Sequence, residues 1–464
     1  MKRLALLVAT AALALPAVGV AHTTAGPTDL VAIAKSETRV TLDWTQDYAH
    51  AYSGYYLRMD GGAPVKYASS EATVADLAPR STHEFCVSID LTSSSHDEES
   101  AQTCITASTE GDAERHVTSP CAFGMFAVGN WPGACWRPYA ASSWLNTPLP
   151  ANPKLVSNSS AMVAKMLSSS RDGVQTLSVG NSGRHDYFHP YALSKSTDPL
   201  YTIRCWRYAC PSIEGAQVRI PVEAKPAQGT DKHLTIVDQS AGWLYDLYKT
   251  ETYGRSGGSV ANWKRTRSPS GGDIWIASGG KTHIDGDGRG VAANGATAAK
   301  TGLLAGPIRG AELEAGAINH MLFMFVKCTN GRYVYPAQGK AATCSSTSDA
   351  PPDGQAFKLA MTDAEIAALP APNWRKTIYR AMARYGMFVG DTGGSSAFSI
   401  AAESDRTYLD YGYEGAMQRF ARTHQGEGGI RESSTPGMWY MDLDGIDWRS
   451  KLQAIDPCVI AKTC

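Results

Sequence analysis

The ten cysteines of this 464-residue chain come in five close pairs, which limits how the loops of the protein can be arranged. An even number of cysteines in an exported protein predicts disulfide bonds. The pairs favoured by their order are Cys86–Cys104, Cys121–Cys135, Cys205–Cys210, Cys328–Cys344 and Cys458–Cys464. Other connectivities remain compatible with the sequence alone. Bridges that close such short loops clamp them and stabilise a fold modestly.

The first 21 residues predict export. Lys2 and Arg3 precede the apolar run LALLVATAALALPAVGV, which ends near the small residues Gly19 and Ala21. This order is typical of a signal peptide cleaved before His22. A retained membrane anchor is less favoured, because the run is short and has no stop-transfer pattern. We therefore expect a secreted, extracellular protein without a membrane partner after cleavage.

The charge balance argues against nucleic acid as a partner. Without Lys2 and Arg3, the 43 lysines and arginines fall to 41 against 44 aspartates and glutamates. Such a chain has no field able to gather phosphate backbones. The densest basic cluster, Lys264, Arg265 and Arg267, lies beside Ser, Pro and Gly and is interpreted as a solvated loop. We expect a monomer.

Two segments raise the question of a metal ion. Zinc bound by Cys205 and Cys210 is an alternative to their disulfide, but CWRYAC lacks the spacing of a C-x-x-C knuckle. In HIDGDGRG, Asp285 and Asp287 have calcium-like spacing without the later bidentate glutamate of an EF-hand loop. We predict no cofactor and no catalytic metal; a structural calcium ion elsewhere is compatible with the sequence.

Residues 27–109 predict a small β-sandwich. The segment RVTLDWTQ alternates strictly and places Val40, Leu42 and Trp44 on one face, the pattern of a half-buried strand. The next segment, SGYYLRMDGGAPVKYASS, predicts two strands around a turn at Asp60-Gly61.

The segment LAPRSTHEFCVSID resembles the fibronectin type III pattern Leu-x-Pro-x-x-x-Tyr-x-Val. The residues that fit the family are Leu77, Pro79, Phe85, Pro27 and Trp44. His83 stands where the family places a corner tyrosine. The resemblance implies a sandwich of about 80 residues that serves as a spacer or weak binding module, with no catalytic role.

A polar linker over 110–120 leads into a larger unit, 121–464, long enough for a substantial core. Short β-rich segments separated by Gly, Pro, Ser and Asn predict a sandwich or jelly roll with one or two short helices. Examples are YTIRCW, AQVRIPV, KHLTIVDQ, WLYDLYKT, GDIWIAS, HMLFMFVKC and FKLAM. No repeat of 20–50 residues recurs, which argues against a propeller.

One helical region interrupts these strands. Thr362 and Glu365 fit a capping box, and Asn373 can cap a second helix that Gly386 ends. The apolar positions of that helix, Ile378, Met382 and Tyr385, share one face. The following MFVGD predicts a strand that delivers Asp391 to a Gly-Gly turn.

The segment TDKHLTIVDQSAGWLYDLYKTE predicts a candidate site. Two adjacent strands would project Asp231, His233, Asp246 and Tyr248 together. Carboxylates among aromatic side chains suit a sugar-binding cleft, because acid/base cleavage needs one protonated and one ionised carboxyl group. Taken singly, the aspartates could end strands and His233 could be a hydrogen-bonded core histidine.

A second candidate segment is GPIRGAELEAGAINHMLFMFVKC. Glu312 precedes a turn, and His320 enters an apolar strand where a carboxylate is a natural partner. Glu314 is expected to face solvent. His185 and His189, in GRHDYFHPYA, could line a rim, although loop histidines are common.

The larger unit also resembles a family of secreted bacterial proteins of uncharacterised function. The matching phrases are GTDKHLTIVDQ with LYDLY, AGPIRGAELEAGAINHMLF, YVYPAQGKAAT, APPDGQAFKLA and IYRAMARYGMFVGDTGG. The resemblance supports the candidates Asp231, His233, Glu312, His320 and Asp391. Lys232, Asp246 and Thr392 replace the arginine, glutamate and asparagine of the family pattern. The resemblance to this family implies no particular reaction.

These features favour an enzyme that hydrolyses glycosidic bonds of a polysaccharide. Asp246 and Glu312 are the predicted acid and base or nucleophile, tuned by His233 and His320. The second candidates for catalysis are Asp231 and Asp391. The predicted substrate-binding residues are Trp243, Tyr248, Trp275, His189 and Tyr385. No GxSxG elbow, HExxH pair, P-loop or Glu-x-Asp-x-x-Glu strand is present.

Two alternatives remain open. A polysaccharide lyase would use histidine and tyrosine to abstract a proton beside a uronate, and its candidates are His233, His320, Tyr385 and Asn319. A lectin or adhesin would bind glycans without cleaving them, since an architecture of this kind does not fix a function.

Overall fold

The computed structural model describes residues 25–35, 39–45, 52–75, 77–78, 81–91, 99–109, 120–168, 175–180, 187–250, 271–393, 397–433 and 438–464. The predicted signal peptide, most of the predicted linker, the basic cluster around Lys264, and His185 lie outside these residues. The chain divides into two compact units. One comprises Met1–Ala32, Leu42–Thr73 and Thr82–Ser108, and the other comprises Ile33–Thr41, Val74–Ser81 and Thr109–Cys464.

Short strands form the N-terminal β-rich segment. They are β1 (Thr28–Lys35), β2 (Val40–Thr45), β3 (Gly54–Met59), β4 (Val65–Tyr67), β5 (Glu71–Val74), β6 (Thr82–Asp90) and β7 (Thr103–Ser108). One sheet has the order β1-β2-β5, and the other has the order β4-β3-β6-β7. The disulfide Cys86–Cys104 joins two residues that face each other across β6 and β7.

The predicted alternation in β2 is confirmed. Val40, Leu42 and Trp44 are at most 2% exposed, and the Trp44 ring packs edge-on against Tyr55 at 5.2 Å between centroids. Such aromatic pairs add to the stabilisation that burial of their apolar surface provides. This face of the strand therefore forms the hydrophobic interior of the N-terminal sheets.

The predicted turn at Asp60-Gly61 is also present, with both residues at positive φ. His83, which stands at the corner-tyrosine position, directs Nδ1 to the Asp60 carboxylate at 2.7 Å. The histidine thus ties β6 to this turn by its own side-chain contact. Pro79 of the fibronectin pattern lies outside the described residues.

The remaining strands belong to the C-terminal part of the chain. They are β8 (Gln175–Gly180), β9 (Tyr191–Leu193), β10 (Leu200–Cys205), β11 (Gln217–Arg219), β12 (Leu234–Asp238), β13 (Trp243–Tyr248), β14 (Gly272–Ile276), β15 (Ser278–His283), β16 (Leu322–Val326), β17 (Ala356–Leu359), β18 (Met387–Thr392), β19 (Phe398–Ile400), β20 (Ile430–Glu432), β21 (Met438–Leu443) and β22 (Leu452–Ala454). Their sheets have the orders β11-β10-β14, β15-β13-β12-β9, β19-β16-β18-β17-β22 and β20-β21-β8.

The mainly β architecture predicted from the short strands is confirmed. Three pairs, β10 with β14, β12 with β9, and β16 with β18, are parallel, whereas the pairs within an ordinary jelly roll are antiparallel. Parallel neighbours require long crossover connections, and the connection from β16 to β18 carries two helices.

The helices are more numerous than the single helical region that the sequence indicated. They are α1 (Ser159–Leu167), α2 (Gly310–Glu314), α3 (Asp363–Ala368), α4 (Asn373–Arg384), α5 (Arg406–Leu409), α6 (Ala416–His424), α7 (Trp448–Lys451) and α8 (Pro457–Ala461). The capping box of Thr362 and Glu365 is confirmed. Pro372, rather than Asn373, occupies the cap of α4, and Gly386 ends that helix at φ +83°.

Strand β18 contains an irregularity that sets the direction of Asp391. Met324 of β16 pairs with Val389, but the next residue, Phe325, pairs with Asp391, so Gly390 is an extra residue in the ladder. A bulge of this kind re-aims the side chains that follow it. A Cβ added to Gly390 would lie 2.2 Å from the ring of Phe323, so the close packing requires glycine.

All five predicted cysteine pairs form disulfides. The sulfur atoms of Cys205 and Cys210 are bonded to each other, so neither is a thiolate available to zinc. Disulfides are typical of proteins from oxidising compartments outside the cytoplasm. Within the described ranges, no helix combines the length and the apolar character needed to cross a membrane.

We expect Gly390→Ala to destabilise the protein by about 1–3 kcal/mol, the usual cost of forcing an extra methyl group into a packed core. Gly393→Ala is the matched control, because a Cβ there meets nothing within 4 Å. Chemical denaturation of both variants measures the difference. Equal stability of the two variants would contradict the tight packing of Phe323 against the bulge.

Candidate functional site

Strands β12 and β13 bring the first group of predicted residues together. Thr235 pairs with Asp246 in the antiparallel register, and the Thr235 hydroxyl donates to Asp246 Oδ1 at 2.8 Å. One step further along the same face, the rings of His233 and Tyr248 lie 5.6 Å apart. The prediction that adjacent strands project these side chains together is therefore confirmed.

Asp231 and Asp391 enter the same region from different parts of the chain. The Lys249 N–H donates to the Asp231 carbonyl at 2.8 Å, which holds Asp231 beside the end of β13. Asp391 follows the bulge in β18, and its Oδ1 and Oδ2 accept from the N–H groups of Thr392 at 2.7 Å and Ala298 at 2.9 Å. Both aspartates are half-buried residues.

The charge of Asp231 acts on Asp391. Burial, followed by the negative charges of Asp231 and Asp353, raises the pKa of Asp391 to about 7. Burial also raises the pKa of Asp231, and Lys249 and the side chain of Tyr248 partly offset that rise. At neutral pH, a large fraction of Asp391 is therefore protonated.

Tyr248 lies at the centre of this group. Burial, then the charge of Asp231, raises the pKa of Tyr248 to about 12, so its hydroxyl is protonated at neutral pH. Lys300 lies near Asp391; burial lowers the pKa of the Lys300 ammonium and Asp391 partly restores it. We call Asp231, His233, Tyr248, Lys300 and Asp391 the Asp231–Asp391 cleft.

Lys300 was not among the residues predicted for the site. It is the single charged residue in the small-residue stretch GATAAKTGLLAG, which carries no strand or helix pattern. Its backbone has φ +60°, and a contact between Ala299 N–H and the Gly390 carbonyl at 3.0 Å ties the stretch to the bulge. An isolated lysine among alanines and glycines was the available signal.

Two neutral histidines, His233 and its neighbour His189, pack together beneath Tyr248. The rings of His189 and His233 lie 5.0 Å apart, and burial lowers their pKa values to about 3 and about 4. His189 Nδ1–H donates to Leu303 O at 2.8 Å, and His233 Nε2–H donates to Ala296 O at 3.3 Å. Among the described residues, the other nitrogen of each ring has no hydrogen-bond partner.

Imidazole and carboxylate groups are common metal ligands, but these side chains do not converge on one point. In the described part of the chain, the one group of three such side chains within coordination reach is Cys205, Cys210 and Glu214. The disulfide removes both sulfurs of that group as ligands.

Asp246 and Glu312, the pair predicted for catalysis, occupy two separate contact networks. Asp246 is 1% exposed and accepts from Thr235 and the Leu303 N–H; burial raises its pKa to about 7. Glu312 is 0% exposed and contacts Arg309 and His320. Because neither carboxylate reaches solvent, the structure does not present this pair to a polymer.

Glu312 forms the centre of a buried ionic network. Its Oε1 lies 3.0 Å from Arg309 Nη2 and 3.2 Å from His320 Nε2, while His320 Nδ1 faces Met321 O at 2.9 Å. Burial acts to raise the pKa of Glu312, but Arg309 and then His320 outweigh it and hold the value at about 2. Glu312 thus anchors α2 as an ionised group.

Glu403, which the sequence analysis missed, lies beside this network. Its Oε1 accepts from the Gly310 N–H at 2.6 Å, and its Oε2 accepts from the Tyr408 hydroxyl at 3.0 Å. Burial raises the pKa of Glu403 to about 7. Glu403 follows the short strand β19 in the sequence IAAESD, where no periodic pattern distinguishes it from a loop residue.

A buried pocket connects this network to the pair of histidines. Its lining residues are Trp136, Pro138, His189, Tyr191, Leu304, Pro307, Arg309, His320 and Glu403. The space accommodates a molecule no larger than water, so it is too small for a sugar ring. His189 belongs to both the pocket and the pair of histidines.

Three predicted sugar-binding aromatics lie elsewhere. Trp243 begins β13 and Tyr248 ends it, about 17 Å away at the usual rise of a strand. Trp275 belongs to β14 in another sheet. Tyr385 is 4% exposed within the hydrophobic core at the end of α4.

Comparisons with known proteins identify no family. No family model and no curated protein matches the chain. Solved structures with partial similarity include the chicken CNTN1 fibronectin domains FN1–FN3, at 16% identity over 19% of this chain and 32% of that chain, with a TM-score of 0.17. Fibronectin type III domains are thus among the structural neighbours.

Two further neighbours are a chitinase from Bacillus thuringiensis and a family 28 exopolygalacturonase from Yersinia enterocolitica. The chitinase is 19% identical over 18% of this chain and 13% of its own, with a TM-score of 0.17. The exopolygalacturonase is 17% identical over 18% and 20%, with a TM-score of 0.16. The chain spans less than a third of the length of each of these three structures, and TM-scores this low transfer no activity.

We expect Glu312→Gln to lower the free energy of unfolding by about 3–5 kcal/mol, because it leaves Arg309 without its buried counter-charge. Glu314→Gln is the control, since the Glu314 side chain is 41% exposed and its loss changes stability by about 1 kcal/mol or less. Denaturant unfolding compares the two. If both variants were equally stable, Glu312 would not be a structural anchor.

Proposed function

We propose that the chain hydrolyses glycosidic bonds of a polysaccharide in the Asp231–Asp391 cleft. The observation that carries the proposal is the carboxyl group of the half-buried residue Asp391, which has a pKa of about 7 and lies within electrostatic reach of the Asp231 carboxylate. Two carboxyl groups in different protonation states are what glycoside hydrolysis requires. Asp231 and Asp391 replace Asp246 and Glu312 as the proposed pair.

Asp391 is the proposed general acid. Its protonated oxygen donates to the glycosidic oxygen as the bond to the anomeric carbon breaks, so the leaving sugar departs as a neutral alcohol. The two backbone N–H groups that contact Asp391 hold the carboxyl group in place before the sugar arrives. The raised pKa keeps the proton available near neutral pH.

Asp231 is the proposed ionised partner. It either attacks the anomeric carbon or takes a proton from the attacking water, and in both routes one water is consumed for each bond cleaved. Lys249 and Tyr248 favour the charged form of Asp231. Tyr248 also offers a protonated hydroxyl and a ring face to a bound sugar.

Elimination is the second candidate, because Tyr248 lies among cationic side chains, the surroundings that a lyase uses beside a uronate. The pKa of Tyr248, about 12, argues against its acting as a base at neutral pH. The mass of the products separates the two reactions. Hydrolysis adds one water per cleavage, whereas elimination adds none and produces an unsaturated uronate that absorbs ultraviolet light.

We expect Asp391→Asn and Asp231→Asn each to lower kcat by at least about 100-fold, the usual contribution of a positioned acid or base. Asp273→Asn, at an exposed aspartate of β14, is the control and leaves kcat unchanged. The assay incubates the full chain with plant, fungal and bacterial polysaccharides and reads released products by mass. Unchanged rates in both cleft variants would contradict the assignment.

A glycan-binding protein without activity is the remaining alternative. Glycans that bind the wild-type chain but yield no product from any polymer of the panel would favour that interpretation and contradict the enzyme proposal.

We expect kcat/KM to fall about tenfold per pH unit above pH 7, because Asp391 loses its proton there. On the acid side, kcat/KM should start to fall at a pH above the ordinary pKa of an aspartate, because the pKa of Asp231 is also raised. Initial rates across pH 4–9, with folding checked by circular dichroism, measure the profile. An activity that kept rising above pH 8 would exclude Asp391 as the acid.

A further inference from the structure

The six-residue loop CWRYAC lies against the Asp231–Asp391 cleft. The disulfide between Cys205 and Cys210 closes the loop. The Tyr208 N–H donates to the Ala277 carbonyl at 2.9 Å, and the Ala277 N–H donates to the Tyr248 carbonyl at 2.9 Å. The loop is therefore fixed to the end of β13, where Tyr248 lies. The proposed hydrolysis gives this loop no role.

The loop presents a cation and an aromatic ring to solvent. Arg207 is exposed, Tyr208 is 51% exposed, and the Arg207 guanidinium lies 5.2 Å from the centre of the Tyr208 ring. Arg207 also acts on the Tyr248 hydroxyl, whose pKa it lowers against the larger effects of burial and Asp231. The stacked guanidinium is thus held within electrostatic reach of the cleft.

Three cations lie around this group of residues. Lys249 Nζ lies 5.5 Å from the Tyr248 ring, and Lys300 lies near Asp391. Arg207, which acts on the Tyr248 hydroxyl, is the third.

The nearest acid of the loop region has other partners. Glu214 Oε2 accepts from the Cys205 N–H at 2.8 Å, and Glu214 Oε1 lies 3.8 Å from Arg204. Glu214 is therefore bound by the loop backbone and by Arg204.

We propose that the Cys205–Cys210 loop is a recognition loop, and that Arg207 and Tyr208 bind an acidic sugar residue next to the one being cleaved. Arginine matches carboxylate and sulfate groups with paired hydrogen bonds, and a tyrosine ring packs against the apolar face of a sugar. The substrate class is then an anionic polysaccharide. The position of the bound sugar relative to the cleaved bond rests on the proposed function. The binding of an acidic sugar by Arg207 and Tyr208 does not.

The test measures binding separately from cleavage. Full-length Asp391→Asn protein is titrated by calorimetry with an oligogalacturonide, a sulfated galactan oligosaccharide and a neutral xylo-oligosaccharide of equal length. We expect an acidic ligand to bind at least about tenfold more tightly than the neutral one, and less tightly as salt is added. The tighter of the two acidic ligands identifies carboxylate or sulfate.

Adding Arg207→Ala should weaken acidic-ligand binding about tenfold or more, since a charged hydrogen bond contributes about 1.5–3 kcal/mol. Arg219→Ala is the matched control: Arg219 is exposed in the same sheet, opposite Leu200 at the far end of β10 from the loop. Equal binding of acidic and neutral ligands, no binding of any ligand, or equal effects of the two arginine variants would overturn the proposal.

The double variant Cys205→Ser/Cys210→Ser tests the disulfide. We expect weaker acidic-ligand binding with little change in melting temperature, because the closed loop is short. Acidic-ligand binding that depends on Arg207, without product release by the wild-type chain, would reject the proposed hydrolysis and leave the recognition loop intact.

Discussion

Strands β16 and β18 pack closely around the ring of Phe323, and the absence of a side chain at Gly390 makes this possible. The extra residue shifts the register of the parallel pair, so that Asp391 emerges beside a loop from another part of the chain. Backbone N–H groups then fix both oxygens of Asp391. The position of the candidate acid is thus a consequence of core packing rather than of contacts in the cleft itself.

In the larger unit, burial alone gives several carboxyl groups an unusual pKa, whether or not they have a proposed function. Burial raises the pKa of Asp246, Asp391 and Glu403 alike, each to about 7. Glu312 shows the opposite shift, because Arg309 outweighs the effect of its burial. A perturbed pKa therefore identifies an unusual electrostatic environment rather than a function. Within this set Asp391 is a half-buried residue, whereas Asp246 and Glu403 are fully buried.

Local patterns predicted much of this structure. The alternation around Trp44, the cap at Thr362 and the pairing of neighbouring cysteines depend on interactions within a few residues, and the structure contains all three. The register of β12 and β13, which brings His233 and Tyr248 together, was also accessible because a short turn joins the strands.

Non-local arrangements were not accessible in the same way. Parallel pairing, the bulge at Gly390 and the approach of Lys300 to Asp391 depend on segments far apart in sequence. The choice of Glu312 as a catalytic group failed to anticipate Arg309, which lies one helical turn away and neutralises it. Residue type and spacing predicted an ionisable cluster, but they did not distinguish an anchoring carboxylate from an accessible one.

The cysteine bridges join residues only 5 to 18 positions apart, so none of them links one large sheet of the chain to another. Each can form within its own segment, before the distant strands have met. Reducing agents would consequently loosen individual loops while the hydrophobic core keeps the sheets assembled. Reduction and oxidation thus change the mobility of short loops, including the Cys205–Cys210 loop, more than they change the arrangement of the sheets.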